Sequence, residues 1–244
     1  MRSTRSVIAR AETLLYFGMT ILKERTELQN ASVIFDLDGT LLDGDSTSLW
    51  MLDRMNGSTW RPLLAAAGFL LALPLPLYPP SRRIGGSIFL WIASIGLSEA
   101  ALHRSFAQFA EKVSAGKALA WRPGGLAELE TRILRGKTAL IATAAPTWLA
   151  ERLVETLPFQ VAVVGSSLSR FFGGWRANFH CRHKAKCDAI TRAGYGERWA
   201  VAFSDSADDG PLLARAKSAF LVNASRRTAA RIARLKVRAD HVGW

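Results

Sequence analysis

The stretch Val33–Leu42, VIFDLDGTLL, constrains the chain more than any other. Its leading residues, Ser32 to Phe35, form a short, mostly apolar run closed by a turn signal, which reads as a buried strand. The run ends on Asp36-Leu37-Asp38-Gly39-Thr40. In open α/β sheets, ligands sit at the carboxyl ends of strands. Two carboxylates two residues apart in such a place repel one another and lose hydration, unless a cation lies between them. Mg²⁺ fits that need, since it takes hard oxygen ligands and keeps several waters. Gly39 allows a sharp exit from the strand, and Thr40 offers a hydroxyl towards the same point. An Asp-x-Asp-Gly turn alone is equally at home as a solvated corner. The ten residues together favour a site.

A net charge of +12 implies affinity for anions: phosphorylated substrates, acidic lipid surfaces or nucleic acid. No helix-turn-helix, finger or RNA-binding signature accompanies it, so nucleic acid is not expected as a partner. Cys181 and Cys187 give no disulfide framework, which makes a reduced, cytoplasmic compartment the default.

Residues 1–30 carry Arg2, Arg5 and Arg10 ahead of a short apolar patch. They read either as a dispensable extension or as a basic amphipathic helix on a membrane surface. From Leu63 to Ser81 there is no charged residue, and after Arg82-Arg83 the run Ile84 to Ser98 is again uncharged. A spanning helix needs about 20 apolar residues. Pro74, Pro76, Pro79 and Pro80 break the first run, and the second is too short and rich in glycine. Two readings stay open: a helical insert that dips into the bilayer as a peripheral or re-entrant element, or an ordinary buried hairpin. Ser98-Glu99 then opens a helix with an N-cap and an acid in its first turn. Pro123-Gly124-Gly125 marks the return to the main domain, so the insert spans residues 46–121.

A second strand, Thr138 to Ala142, ends on Thr143-Ala144-Ala145-Pro146, with a helix from Thr147. A hydroxyl and small residues before a helix N-terminus suit phosphate. Val161 to Gly165 reads as a third strand and Gly173-Gly174-Trp175 as a hairpin turn. The segment His180-Cys181-Arg182-His183-Lys184-Ala185-Lys186-Cys187 invites a zinc reading, which its spacing and its lysines oppose. Trp199 to Phe203 is a further strand and ends on Ser204-Asp205-Ser206-Ala207-Asp208-Asp209. A second acidic strand end is best explained by a metal shared with the first. Ala219 to Val222 is a last strand, and residues 226–244 are read as a basic tail. Its six basic residues between Arg226 and Arg238 suit either anionic lipid or a solvated helix face.

VIFDLDGTLL resembles the first motif of the haloacid dehalogenase superfamily, in its phosphatase branch. The resemblance implies a Rossmann-like α/β fold, a parallel sheet with helices on both faces, and a helical cap inserted after the first strand. Residues 31–45 and 122–225 would form the core and residues 46–121 the cap. Asp36 would be the nucleophile that becomes an aspartyl-phosphate, and Asp38 the general acid/base. The second motif maps to Thr143, with Ala144 beside it. The third, a lysine opening a helix, maps to Lys186, with Lys184 as runner-up. The fourth maps to Asp205 as a magnesium ligand, with Asp209 orienting the ligand shell or Lys186 and Asp208 a poorer fit by spacing. Asp36, Asp38, Asp205 and Asp209 are thus the expected metal residues, and Asp45, Thr143, Ala144 and Lys186 the substrate-binding ones. Asp45 lies nine residues past the nucleophile, where phosphoserine phosphatases keep a substrate-reading acid. The apolar cap, Leu90-Trp91, Gly96-Leu97-Ser98-Glu99-Ala100, Gly173-Gly174-Trp175 and Ser204 are more similar to the phosphatidylglycerophosphatase C family. The substrate implied is a phospholipid head group, with a phosphorylated small molecule as the alternative. A catalytically silent protein that only binds anionic surfaces is the reading of another class.

Overall fold

A computed structural model of the chain describes residues 32–64, 66 and 81–244. At its centre is β1 (Ser32–Phe35), every residue of which is buried. Val33 and Phe35 face one layer of core and Ile34 the other, which is why these three residues are all apolar and do not alternate. β1 pairs in parallel with β2 (Thr138–Pro146) on one side and with β5 (Trp199–Ser204) on the other. Outside β2 stand β3 (Ala162–Phe171) and its antiparallel hairpin partner β4 (Gly174–Phe179). Outside β5 stand β6 (Ala216–Val222) and β7 (Asp240–Val242), both parallel. The seven strands run in the order β4-β3-β2-β1-β5-β6-β7. This is the α/β fold with a mostly parallel sheet that the sequence implied, and its central strands end together at one edge.

One face of the sheet is covered by α6 (His183–Ile190), α7 (Gly210–Ala214) and α8 (Arg226–Arg234), which contribute Cys187, Ile190, Leu212, Leu213 and Ile232. The other face meets residues from α1 (Ser46–Asn56), α2 (Ser81–Ser94), α3 (Glu99–Ser114), α4 (Pro123–Leu134) and α5 (Thr147–Val154) in one continuous cluster. Trp50 of α1 and Phe106 of α3 pack at a tilt of 58° with centroids 4.8 Å apart, and the Trp50 indole N–H donates to Ser105 Oγ at 3.0 Å. Each such ring contributes about 2–3 kcal/mol through burial. Ser98 caps α3 by accepting from the Ala101 N–H.

The chain leaves the sheet through Asp43 and returns at Ala120, whose carbonyl accepts the Asp43 N–H while its own N–H donates to Asp43 Oδ1. No helix among the described residues is long and apolar enough to cross a membrane. The extension over residues 1–30 and most of the proline-broken apolar run lie outside the described residues.

The expected basic tail is corrected. Residues 226–234 form α8 and residues 240–242 form β7, the seventh strand of the sheet. Trp244 follows and packs on Phe203 and Phe35, with centroids 5.2 and 6.4 Å away. Asp240-His241-Val242, with a single apolar residue, carries too little periodicity to be read as a strand. Its partner strand supplies the pairing.

Candidate active site

Three side chains that are far apart in sequence meet beneath the strand ends. The Lys186 ammonium donates to Asp36 Oδ1 and to Asp209 Oδ2, each at 2.8 Å. All three side chains are buried. Asp36 comes from the end of β1, Lys186 from the first turn of α6, and Asp209 from the single 3-10 turn that follows β5. Ser204 Oγ donates to the same Asp209 oxygen at 2.8 Å and accepts the Ser206 N–H at 3.1 Å. Asp209 is therefore the partner of Lys186 and Ser204.

Thr40 ties the two acidic strand ends together. Its hydroxyl accepts the Asp205 N–H at 3.0 Å and lies 3.4 Å from both Asp36 Oδ2 and Asp205 Oδ1. Gly39, at φ +78°, makes this approach possible, because a Cβ there would run into the Asp205 carboxylate. Asp38 turns towards α1 and accepts the Ser46 N–H at 2.9 Å.

One ammonium set against several buried carboxylates leaves the site short of positive charge. Burial pushes the Asp36 carboxyl up to about 8, against the pull of Lys186. It pushes Asp38 to about 6, the Ser46 N–H pulling the other way. Asp205 is also raised by burial. The Lys186 ammonium is held charged by the two aspartates around it. Asp36, Asp38 and Asp205 offer hard oxygens and a charge deficit that a divalent cation would fill, so their chemistry fits magnesium. Among the described residues no three Asp, Glu, His or Cys side chains converge closely enough to enclose an ion by themselves. An ion that keeps several waters does not require a closed cage.

These residues open into a cleft of about 850 Å³. Thr143, buried, lines it from β2, and its Oγ1 accepts the Ala145 N–H at 3.0 Å, which leaves its own proton to donate elsewhere. The β2–β3 register breaks between Ala142 and Pro146, so Thr143, Ala144 and Ala145 stand outside the ladder at the cleft wall. Asp45 reaches the cleft but also caps α1, accepting the Ser48 N–H at 2.7 Å. Lys184 is exposed on the rim, whereas Lys186 is inside. Asp208 sits on the rim between Arg182, Arg231 and His183, at 3.3, 3.5 and 3.8 Å.

Cys181 and Cys187 are buried, and burial raises both thiols, Cys181 to about 12. Their surroundings are those of packed side chains, which further opposes zinc. Ser166 of β3 was not foreseen. Its hydroxyl donates to the Ala144 carbonyl at 2.7 Å and accepts the Cys181 N–H at 3.0 Å, fixing the wall around Thr143. A lone serine within a strand carries no signal of such a role.

A profile described as haloacid dehalogenase-like hydrolase matches residues 33–214. No curated protein matches the sequence. Among solved structures, a Bordetella pertussis Tohama I protein of unknown function aligns with a TM-score of 0.65 at 16% identity, covering 86% of this chain and 98% of that one. A phosphoserine phosphatase captured as a phospho-aspartyl intermediate analogue aligns at 0.54 and 13%, covering 87% and 92%. Cytosolic 5'-nucleotidase IIIB bound to cytidine aligns at 0.54 and 13%, covering 92% and 84%. At these identities the likeness is one of fold.

Proposed function

We propose, since the chain belongs to the haloacid dehalogenase-like hydrolase family, that it is a magnesium-dependent phosphomonoesterase working through an aspartyl-phosphate. The observation that carries the reading is the buried Asp36–Lys186–Asp209 pairing at the floor of the cleft. Lys186 favours the ionised form of Asp36 and fixes its orientation, so that an Asp36 oxygen can attack phosphorus in line. The P–O bond to the alcohol breaks, and Asp38, its carboxyl raised towards neutrality, gives its proton to the departing oxygen. The Asp38 carboxylate then takes a proton from water, which attacks the phosphoryl group, frees inorganic phosphate and restores Asp36. The Thr143 hydroxyl and Lys186 donate to the phosphoryl oxygens. Magnesium, held by the Asp36 and Asp205 carboxylates, would neutralise charge between nucleophile and phosphate and leave the Asp38 carboxyl to carry the proton.

For the substrate we favour a membrane lipid phosphate, phosphatidylglycerophosphate first, with residues 46–121 acting as the cap. The uncharged runs Leu63–Ser81 and Ile84–Ser98 and the +12 charge support an enzyme that works against an anionic membrane. A soluble monoester such as phosphoserine is the second reading, favoured by the Asp45 carboxylate at the cleft. Phosphate release by the purified protein with magnesium separates them. Phosphatidylglycerophosphate in mixed micelles, phosphoserine and an aryl phosphate would be compared, with Asp36→Asn as control. Turnover of the lipid above the others, absent in the variant, is the expected result. Preference for phosphoserine would transfer the mechanism to a soluble substrate, and no turnover would sink the reading.

A further inference from the structure

The β3–β4 hairpin ends in a turn whose chemistry is out of place for a turn. Phe172 and Gly173 both have positive φ, +41° and +77°, between the paired residues Phe171 and Gly174. Two-residue hairpin turns of this hand favour Asn-Gly, and a bulky side chain at positive φ is strained. Phe172 is nonetheless 83% exposed and Phe171 40%. Strain held at an exposed aromatic tip points to a use for that side chain.

A second exposed apolar group adjoins it. Trp60, Leu63 and Leu64 are 42%, 73% and 42% exposed. Arg61 between them donates to the Ile95 carbonyl at 3.1 Å, and the next residue, Gly96, donates to the Gly173 carbonyl at 2.9 Å. The two groups thus border the same end of α2. Trp91 of α2 secures the hairpin by donating to the Phe171 carbonyl at 2.9 Å.

The charged residues on these two stretches have one sign. Arg170 and Arg176 flank the tip, both exposed, with the Arg176 guanidinium 4.4 Å from the Phe171 ring centroid. No aspartate or glutamate occurs between Arg54 and Ser98, nor between Thr156 and Cys187. Exposed aromatics flanked by arginines, on stretches of chain that carry no acid, complement an anionic lipid surface, where rings enter the acyl boundary and arginines meet phosphates. The same elements wall the cleft, through Ser87 and Leu90 of α2 and Leu168 and Ala177 of the hairpin. From Leu168 to the tip is about 10 Å at strand spacing.

We propose that the Phe171–Gly174 turn, together with Trp60–Leu64, seats on an anionic bilayer and holds the cleft mouth at headgroup level. The inference deepens the lipid-phosphate reading and rests on it for the reason the cleft should face a membrane.

The test is co-sedimentation of the full chain with vesicles of equimolar phosphatidylcholine and phosphatidylglycerol, against phosphatidylcholine alone. The paired substitution Phe171→Ser with Phe172→Asn removes the rings while suiting the positive φ. It should reduce partition about ten-fold, and Arg170→Gln with Arg176→Gln about as much. Hydrolysis of a soluble aryl phosphate should stay at the parent rate in both, which also certifies their folding. Failure of the parent to prefer the anionic vesicles, or unchanged binding by the aromatic variant, would overturn the proposal. Parent self-association abolished by the same variant, without vesicle binding, would assign the surface to a second copy and overturn it as well. Vesicle binding lost in the variant while the parent cleaves only soluble esters would keep the surface and remove the lipid substrate. Lipid hydrolysis with binding indifferent to the variant would do the reverse.

Discussion

Lys186 and Asp209 are joined at 2.8 Å with both side chains out of solvent, and the same ammonium serves Asp36. Breaking a buried pair by removing one partner is far costlier than the pair is worth, because the remaining charge stays buried. Lys186→Met keeps an unbranched stem as far as the ε position and leaves two carboxylates. We expect loss of hydrolysis and about 3–5 kcal/mol of stability at neutral pH, read by urea unfolding in metal-free buffer. The sign with pH follows. Burial already holds the Asp36 carboxyl above the unfolded value of about 3.9, and without the ammonium nothing pulls it back. The folded variant then binds more protons than the unfolded chain, so its stability falls as pH rises through that window and recovers on acidification. A deficit against the parent that does not narrow near pH 4.5, roughly half a unit above about 3.9, would mean that the loss is one of packing.

Ser204 holds Asp209 from the other side and takes the Ser206 N–H. Ser204→Ala leaves a buried carboxylate oxygen with one donor fewer and a backbone donor unpaired. Such a change costs about 1–3 kcal/mol. Hydrolysis should fall several-fold, through a loosened Lys186, yet stay well above that of Asp36→Asn. Equal activity and stability in variant and parent would make the hydroxyl incidental.

Gly39 and Gly136 form a matched pair of tests. Both have positive φ, +78° and +69°, and so both carry the left-handed penalty of about 1–2 kcal/mol for any other residue. Only at Gly39 does an added Cβ meet anything, the Asp205 carboxylate; at Gly136 nothing lies within 4 Å. Gly136→Ala should lose stability and keep its turnover. Gly39→Ala should lose both, since Asp205 must move from Thr40. Parallel rates for the two variants would separate Asp205 from the chemistry.

The parts of this molecule legible in its sequence are those whose signal is local. β1 declares itself because both of its faces are buried, so Val33, Ile34 and Phe35 are apolar without a break. Two acidic strand ends declare a shared site because unpartnered buried carboxylates are costly. The split between Lys186 and Lys184 was not decidable from spacing. It depends on which residue of α6 faces inward, and in the fold Lys186 is buried while Lys184 is exposed. Ser166 was invisible for a related reason: its partners, the Ala144 carbonyl and the Cys181 N–H, come from other strands and loops.

The C-terminal segment shows the same limit and gives the last test. Residues read as a tail by their charge become part of the core through Ile232 of α8 and through the Trp244 ring, which packs on Phe203 and Phe35. Gly124 and Gly125 make room for it, as a Cβ on either would press on the indole. Asn223 fastens the backbone there, donating to the Trp244 carbonyl and accepting its N–H, both at 3.1 Å. Phe35 and Phe203 immediately precede Asp36 and Ser204, so the ring braces both strand ends that carry the site. Trp244→Ala removes a half-buried indole, less than the full cost of a core tryptophan, so about 2 kcal/mol is expected. In a domain of this size that lowers Tm by about 4–8 °C. Turnover should fall less than in Asp36→Asn, because the braced residues stay in place when folded. Gly125→Leu should reproduce the loss of stability from the other side of the contact. Thermal unfolding that leaves both variants at the parent Tm would show that the seventh strand closes the sheet without supporting it.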